Sequence, residues 1–408
     1  MALIDLFLAK RVQRGTLTVH HADGKTLNFG TPEPGFPDVA IRFTDAGAAA
    51  AIVRDPGLGA GEAYMNGRLV VEQGDVRDLV RLLTMNDPWE AGQNGLAPSP
   101  MRRAIQAVTH RIGRINMARR SKRNVAHHYD LSGRLYDLFL DADRQYSCAY
   151  FTDPSNSLEQ APDDQKAHLA AKLALKPGMT VLDIGCGWGG MALYLHQMTG
   201  ARVLGVTLSE EQLKVARERA AAAGVSDMVT FELIDYRHVQ GKFDRIVSVG
   251  MFEHVGPAHY KTFFRQCRDL LTEDGVMLLH TIGRAGGPGV TDKWTTQYIF
   301  PGGYNPALSE IVSANESLRF MVTDVEVLRL HYAYTLDDWY DRTVAARAQI
   351  VALYDERFFR MWQFYLAGAG AAFHFGGLVN YQVQFAKNRH VLPITRDYMI
   401  EGERRLRR

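Results

Sequence analysis

Two groups of residues in this sequence have types and spacings suited to chemistry. The first is the run Asp183-Ile184-Gly185-Cys186-Gly187-Trp188-Gly189-Gly190, which follows the apolar stretch Thr180 to Ile184. Glycine lets a ligand approach the backbone where no Cβ intervenes, so a turn of this composition between a strand and a helix suits a cofactor. A bare Gly-x-Gly-x-x-Gly match would equally cradle a pyrophosphate. Here the spacing is Gly-x-Gly-x-Gly-Gly, with Asp183 two places before Gly185. That combination suits a cofactor with an amino-acid end and a ribose better than a dinucleotide. A dinucleotide site also expects an acid about 20 residues further on. The sequence has Thr207-Leu208-Ser209 there, with Gln212 one turn into the next helix. The pair Asp235-Tyr236 ends a third strand pattern, where a carboxylate can accept a hydrogen bond from an adenine amino group.

The second group is Glu253, in Met251-Phe252-Glu253-His254-Val255-Gly256, and His280, in Leu279-His280-Thr281-Ile282-Gly283. A lone glutamate or histidine is more often structural. Two of them at the ends of adjacent strands, beside a glycine turn, would open onto one crevice, because ligands in open α/β sheets gather at the carboxyl ends of the strands where strand order reverses.

The elements that must position these groups are legible. From about Lys166 the pattern alternates helix and strand, which predicts a doubly wound α/β sheet with helices on both faces. Strands are expected at Thr180–Ile184, Arg202–Thr207, Val229–Ile234, Phe243–Val249 and Gly275–Thr281, and helices from near Gly190, Ser209 and Pro257. A long helical region is expected from Leu336 to about Ala367. Residues 1–90 read as a small α/β unit, with strand patterns at Leu17 to His20 and Ala40 to Phe43 and a helix around Val76 to Leu83. The segment Pro88 to Pro100 is rich in Gly, Pro, Asn and Ser and marks a linker. The expected domains are therefore 1–90, a linker and basic stretch over 91–125, and a catalytic domain over 126–408.

Composition is that of a globular protein, with 47 Lys+Arg against 45 Asp+Glu, so whole-molecule charge argues for neither nucleic acid nor an acidic substrate. The distribution is uneven. Between Ala91 and Tyr129 there is no acid, while Arg102, Arg103, Arg111, Arg114, Arg119, Arg120, Lys122 and Arg123 crowd together. That stretch reads either as a solvated face or as a surface for anionic phosphate, with lipid headgroups in view. Arg404-Arg405-Leu406-Arg407-Arg408 either adds to that surface or is a frayed tail. Cys148, Cys186 and Cys267 show neither paired spacing nor a metal-ligand pattern, which fits a reducing compartment and a metal-free protein. The N-terminal run Met1 to Leu8 is apolar but short, interrupted by Asp5 and without a basic leader, a poor signal peptide. No window supplies the roughly 18 uncharged apolar residues of a spanning helix. A cytoplasmic protein touching the inner face of the membrane only peripherally is expected.

Five separated motifs carry a resemblance: Gln145-Tyr146-Ser147-Cys148-Ala149-Tyr150, the turn Val181 to Gly190, Ser248 to Gly256, His280-Thr281-Ile282-Gly283, and Trp294 to Gly303. Together, from about His127 to the C-terminus, they resemble the cyclopropane-fatty-acyl-phospholipid synthase family, which includes the mycolic acid cyclopropane synthases. The N-terminal unit is similar to the accessory domain of longer bacterial members, for lipid docking or dimerisation. The resemblance implies a class I, Rossmann-like, S-adenosylmethionine-dependent methyltransferase fold. It implies transfer of the methyl group to a cis double bond of a phospholipid acyl chain, followed by proton loss and ring closure. It further implies a bound bicarbonate ion as base. His280 and Tyr332 would donate to that ion, Glu253 would accept from it, and the backbone amides of Cys148 and Ile282 would complete the cage. Tyr334 is a near neighbour of Tyr332 in the same segment. Tyr146 and Ser147 would close over the S-adenosylmethionine, with Asp183, Gly185, Gly187, Gly189, Thr207, Leu208, Gln212, Asp235 and Tyr236 along its length. Tyr298, Phe300, Tyr304 and Phe151 are candidates to face a carbocation, since aromatic faces stabilise cations without attacking them, although core packing explains each equally well. The cysteine that some members carry in the late helix is absent from Tyr365 to Phe373, which favours the anion as base. Partners implied are a phospholipid bilayer and a second subunit, with no nucleic acid. Methyl-branched, methylene or hydroxylated products, and a non-catalytic sensor of cofactor and lipid, are the alternatives.

Overall fold

The computed structural model describes residues 2–92 and 133–407. The basic stretch and His127 to Leu131 lie outside the described residues. The chain forms two compact units. The first holds residues 2–92 together with Thr291–Pro301 and Leu336–Gly377, and the second holds 133–290, Gly302–Thr335 and 378–407. The stretch 126–408, expected as one domain, thus contributes two segments to the first unit.

In the first unit a four-stranded sheet has the order β2-β1-β3-β4, from Thr26–Thr31, Gly15–His20, Asp38–Phe43 and Leu69–Gln73. Alternation along β1 turns Leu17 and Val19 inward, against Ile4 and Leu8 of the helix Leu3–Arg11. The helix Val76–Met85 starts on a capping box in which Asp75 accepts from the Asp78 N–H and Asp78 accepts from the Asp75 N–H.

The second unit is built on a seven-stranded sheet of order β10-β11-β9-β8-β5-β6-β7. In chain order these are β5 Thr180–Ile184, β6 Arg202–Thr207, β7 Val229–Leu233, β8 Phe243–Val249, β9 Leu271–Arg284, β10 Met321–Leu328 and β11 Leu378–Ala386. Strands β5 to β9 are parallel, whereas β11 runs antiparallel to β9 and β10. Alternation splits β5 between the two faces. Leu182 and Ile184 pack with Phe252, Phe263 and Phe264 on one side, and Val181 packs with Leu195 and Ala216 on the other. The chain winds outward from β5 through β6 to β7, then returns to β8 on the other side of β5. The carboxyl end of β5 is therefore the switch point where a crevice must open. This is the doubly wound α/β arrangement that the alternation predicts.

The helical region expected from Leu336 to about Ala367 is present as three helices, His331–Ala345, Arg347–Leu353 and Glu356–His374. Breaks fall at Ala346 and at Tyr354, after which Asp355 caps the new start by accepting from the Phe358 N–H at 2.6 Å.

Candidate active site

The crevice at the switch point is lined by residues from the ends of four parallel strands and by the loop before the sheet. Tyr146, Ser147, Asp183, Gly185, Gly187, Thr207, Leu208, Gln212, Asp235 and Tyr236 all face it. Gly185 has φ +84°, and a Cβ there would press on Met251 at 2.8 Å. Gly189 departs from the expectation. It does not line the crevice; its φ of +85° and its approach to Phe231, where a Cβ would come within 2.7 Å of the ring, make it a packing residue between helix and sheet.

Asp183 is 2% exposed, and its Oδ2 is buried without a hydrogen-bond partner. Burial pushes its carboxyl up to about 7. An orphaned buried carboxylate facing a crevice fits a ligand that brings a positive charge or donors of its own. The second strand end carries a neutral relay. Thr207 Oγ1 donates to Gln212 Oε1 at 2.8 Å, and Ser209 caps the helix Glu210–Ala222 by accepting from the Gln212 N–H. Asp235 accepts from its neighbour Arg237 at 2.6 and 2.9 Å, and the guanidinium beside it holds its carboxyl below the usual range against the opposing cost of burial. This set fits S-adenosylmethionine: an acid for its ammonium, neutral hydroxyl and amide groups along the ribose, and Asp235 near the base.

The loop that brings Tyr146 and Ser147 to the crevice is fastened by a charged cluster. Asp143 binds Lys166 and Arg219, and Gln145 Nε2 donates to Asp143 Oδ2 at 2.8 Å. Arg219 Nη1 also donates to the Trp188 carbonyl at 3.0 Å, so one arginine joins this loop to the glycine turn. Ser147 Oγ donates to Gln165 Oε1 at 3.1 Å. Gln165 and Trp188 were not singled out by the sequence reading, yet Gln165 Nε2 and Trp188 Nε1 are both buried without acceptors, and Trp188 lines the crevice. The signal for Trp188 was its place inside the glycine turn. Gln165 had none.

The second group lies at the ends of β8 and β9, which are neighbours, with Val249 opposite His280. Glu253 Oε1 accepts the Ile282 N–H at 2.6 Å, while Oε2 is buried without a partner. The Ile282 amide, expected to face an anion, is thus spent on Glu253. Burial raises the Glu253 carboxyl above its ordinary value, opposed by hydrogen bonding from its own amide, the Ile282 amide and the Thr281 side chain. His280 is 1% exposed, and burial drives its imidazole down to about 3, so it is neutral. Its Nδ1 lies 3.2 Å from the Gln382 side-chain amide and its Nε2 3.3 Å from that of Asn380, both on β11. A neutral ring donates from one nitrogen and accepts at the other, so one of these amides meets it with oxygen. Neither amide residue was anticipated.

Cys148 is a buried thiol, pushed well above its ordinary pKa by desolvation and therefore not a nucleophile. Its neighbours fix it to the helix that carries Tyr332. The Ala149 N–H donates to Thr335 Oγ1 at 3.1 Å, and the Phe151 N–H donates to His331 Nδ1 at 3.0 Å. Tyr150 is stacked between His168 and His331, with ring centroids 4.1 and 4.8 Å away. Tyr332 is 6% exposed. Of the aromatic candidates, Phe151 packs edge-on against Tyr334 at 5.7 Å, and Tyr304 lies against the site through its N–H, which donates to the Glu253 carbonyl at 3.0 Å. Tyr298 and Phe300 belong to the first unit, where the half-buried Tyr298 donates to Glu62 and the half-buried Phe300 packs on Tyr365 at 5.8 Å.

A family model described as mycolic acid cyclopropane synthetase matches residues 116–383. The chain belongs to this family. Residues 6–88 match a second model, described only as a domain of unknown function. The chain is 38% identical to a protein named cyclopropane-fatty-acyl-phospholipid synthase from Escherichia coli K12, over 82% of this chain and 85% of that one. It is also 38% identical to a probable fatty acid methyltransferase of Pseudomonas putida, over 83% and 86% of the two chains. Among solved structures, mycolic acid cyclopropane synthase CmaA1 complexed with SAH and CTAB matches with a TM-score of 0.62 at 35% identity, covering 65% of this chain and 97% of that one. Coclaurine N-methyltransferase bound to N-methylheliamine and SAH matches with a TM-score of 0.66 at 21% identity, over 80% of this chain and 99% of that one, and the seven-stranded sheet with flanking helices is a class I, Rossmann-like methyltransferase fold.

Proposed function

We propose that this chain is a cyclopropane-fatty-acyl-phospholipid synthase, which transfers a methylene from S-adenosylmethionine to the cis double bond of an unsaturated phospholipid acyl chain. The observation that carries this reading is the placement of the buried Glu253 and His280 pair at the strand ends next to the cofactor crevice. An alkene is a feeble nucleophile, so alignment and exclusion of water must supply most of the rate. When bound, S-adenosylmethionine supplies an electrophilic methyl on a sulfonium. Asp183 would hold its ammonium, and the loop with Tyr146 and Ser147 would cover it.

Methyl transfer to the double bond leaves a carbocation, and ring closure requires loss of one proton from the transferred methyl. The protein side chains here are poor bases for this: His280 is neutral but fully enclosed, and Glu253 is committed at one oxygen. The orphaned Glu253 Oε2 suits the hydroxyl of a small anion, and by the resemblance Tyr332 would donate to its oxygens, which supports a bound bicarbonate as proton acceptor; His280 would join them only by giving up its Asn380 or Gln382 partner. Because Ile282 is taken, the cage on this reading has one amide, that of Cys148, rather than two. The chain touches the bilayer peripherally at the inner face, works as a homodimer, and uses the basic stretch for anionic headgroups. Among the described residues no helix is long and apolar enough to cross a membrane.

Purified protein, S-adenosylmethionine and unsaturated phospholipid vesicles should give acyl chains heavier by one methylene, which co-elute with ring standards. No mass gain on any unsaturated lipid overturns the reading. A second reading, a methyl-branched or methylene product, is favoured by the likeness to the fatty acid methyltransferase, and the same chromatography separates it.

A further inference from the structure

The first unit carries an apolar pocket that is about half open to the outside and has the unit's core as its floor. A cavity of about 670 Å³ lies among its sheet and helices, lined by Leu17, Ile41, Phe43 and Leu69 from the strands and by Ile4, Leu8, Ile52 and Leu79 from the helices. These same side chains are the buried core of the unit, with Leu17 fully buried. Folded cores pack as densely as organic crystals and leave few voids larger than a water molecule. An engineered hole of about 150 Å³ lined by Leu, Ile and Phe stays dry and takes up an apolar ligand. The pocket here is open on one side, unlike that closed hole, and its volume falls within the roughly 300–1,000 Å³ of small-molecule sites.

Its chemistry points to one occupant. The walls are branched aliphatic groups with Phe7 and Phe43, which offer water no partners. Polar groups come together at one place, where the helix Leu3–Arg11 ends beside the end of Val76–Met85. There Arg11 Nη1 donates to Asp87 Oδ2 at 2.5 Å, and Thr84 also lines the wall. Arg11 Nη2 is buried and lacks an acceptor. A ligand with a long apolar body and one oxygen-bearing end satisfies both features. Pro56 and the exposed Gly57 are among the lining residues, and an added Cβ at Gly57 would meet nothing within 4 Å. The helix Leu3–Arg11, which forms one wall, exposes Leu3 and Leu6 on its outer side, at 71% and 54%.

We propose that this apolar pocket is a binding site for one fatty acyl chain, held with its carboxylate or ester oxygen at Arg11. It is a second acyl site, built from none of the residues of the cofactor crevice or of the Glu253 and His280 group, and it does not rest on the ring-forming reading.

The test uses the full chain without S-adenosylmethionine, irradiated with a diazirine-bearing palmitate and mapped by peptide mass spectrometry. Adducts should fall on the peptides holding Ile4 to Arg11, Ile52 to Ala60 and Leu79 to Asp87. Oleate should compete if a free acid enters, and dioleoylphosphatidylglycerol vesicles should compete if a phospholipid chain does. Ala60→Phe, which fills the cavity from a helix, should abolish these adducts. Arg11→Gln keeps the apolar walls and should weaken labelling roughly tenfold by removing the charge-assisted bond, which tests the site even if Ala60→Phe does not fold. Adducts absent from these peptides, as when another segment or a second copy fills the space, overturn the proposal. So does labelling that neither competitor reduces. Adducts are read without turnover, so they stand or fall separately from ring formation.

Discussion

The Ile282 N–H donates to Glu253 Oε1 at 2.6 Å and leaves Glu253 Oε2 buried and unpaired, so one carboxylate both splints the ends of β8 and β9 and offers an acceptor to whatever enters between them. The two roles can be separated. In Glu253→Gln the side-chain oxygen can still accept from Ile282, which preserves the splint, while the charge is lost. Turnover should fall by about 10²- to 10⁴-fold, the range for removing a positioned acid-base group, with cofactor affinity unchanged by calorimetry. Equal losses in affinity and turnover would assign Glu253 to structure alone.

Asp183 predicts a pH dependence of cofactor binding. Its carboxyl titrates at about 7 in the free protein, and only the ionised form attracts the cofactor ammonium. Below that value binding must first expel a proton, so affinity for S-adenosylhomocysteine should fall approximately tenfold per unit from about pH 7 down to about pH 5.5. Asp183→Asn should bind more weakly but with a flat profile, and a wild type equally flat would refute the assignment. Stability of the cofactor-free protein carries the opposite sign. A raised pKa favours the folded state below the unfolded value of about 3.9, and that advantage disappears as pH rises through about 7. Asp183→Asn should therefore gain on the wild type in thermal denaturation across that window.

Gln382 and Asn380 hold the His280 ring between them, so they set which nitrogen carries its proton. Gln382→Leu removes one partner without touching the cofactor crevice. We expect kcat to drop about tenfold to a hundredfold at unchanged cofactor affinity, the cost typical of an outer partner that orients a functional histidine. Gln382→Glu should fare worse, because a buried carboxylate beside the ring would draw a proton onto it. A kcat unchanged in both variants would reduce these residues to packing.

These amides also show where the sequence was opaque. The strands β5, β6 and β8 were legible with their ends because they are apolar runs that finish in glycine or polar turns. Strand β11, Leu378-Val-Asn-Tyr-Gln-Val-Gln-Phe-Ala386, was not anticipated. Its alternating Asn380, Gln382 and Gln384 suggest a face turned to water, yet all three are buried, two of them against His280. Alternation reports polarity, and here polarity is turned inward to serve an imidazole. The glycine turn was legible as a whole, but its members do different work. Gly185 faces the crevice, whereas Gly189 fits against Phe231, a partner distant in sequence that no local pattern reveals. The division into units was hidden for the same reason, since 291–301 and 336–377 join the first unit through contacts such as the 2.7 Å bond from Tyr64 to Gln363.

Gly190 tests whether this loop is fastened as the structure shows. A Cβ at this position would lie 2.5 Å from Asp143 Oδ2 and closer still to the Gln145 side chain, the two residues that anchor the loop leading to Tyr146 and Ser147. The backbone there is ordinary helix, so alanine brings no conformational strain, and any defect must come from the loop being pushed aside. Asp143 cannot yield easily, because Lys166 and Arg219 both hold it. Gly190→Ala should thus cost about 1–3 kcal/mol of stability, the usual price of overpacking, and weaken cofactor binding. Gly190→Ala combined with Gln145→Ala, which clears the nearer obstacle, should recover part of both losses, the signature of two coupled residues. Thermal denaturation and calorimetric titration of the single and double variants measure the coupling, and simple additivity of the two substitutions would mean that the loop is not fastened at this point.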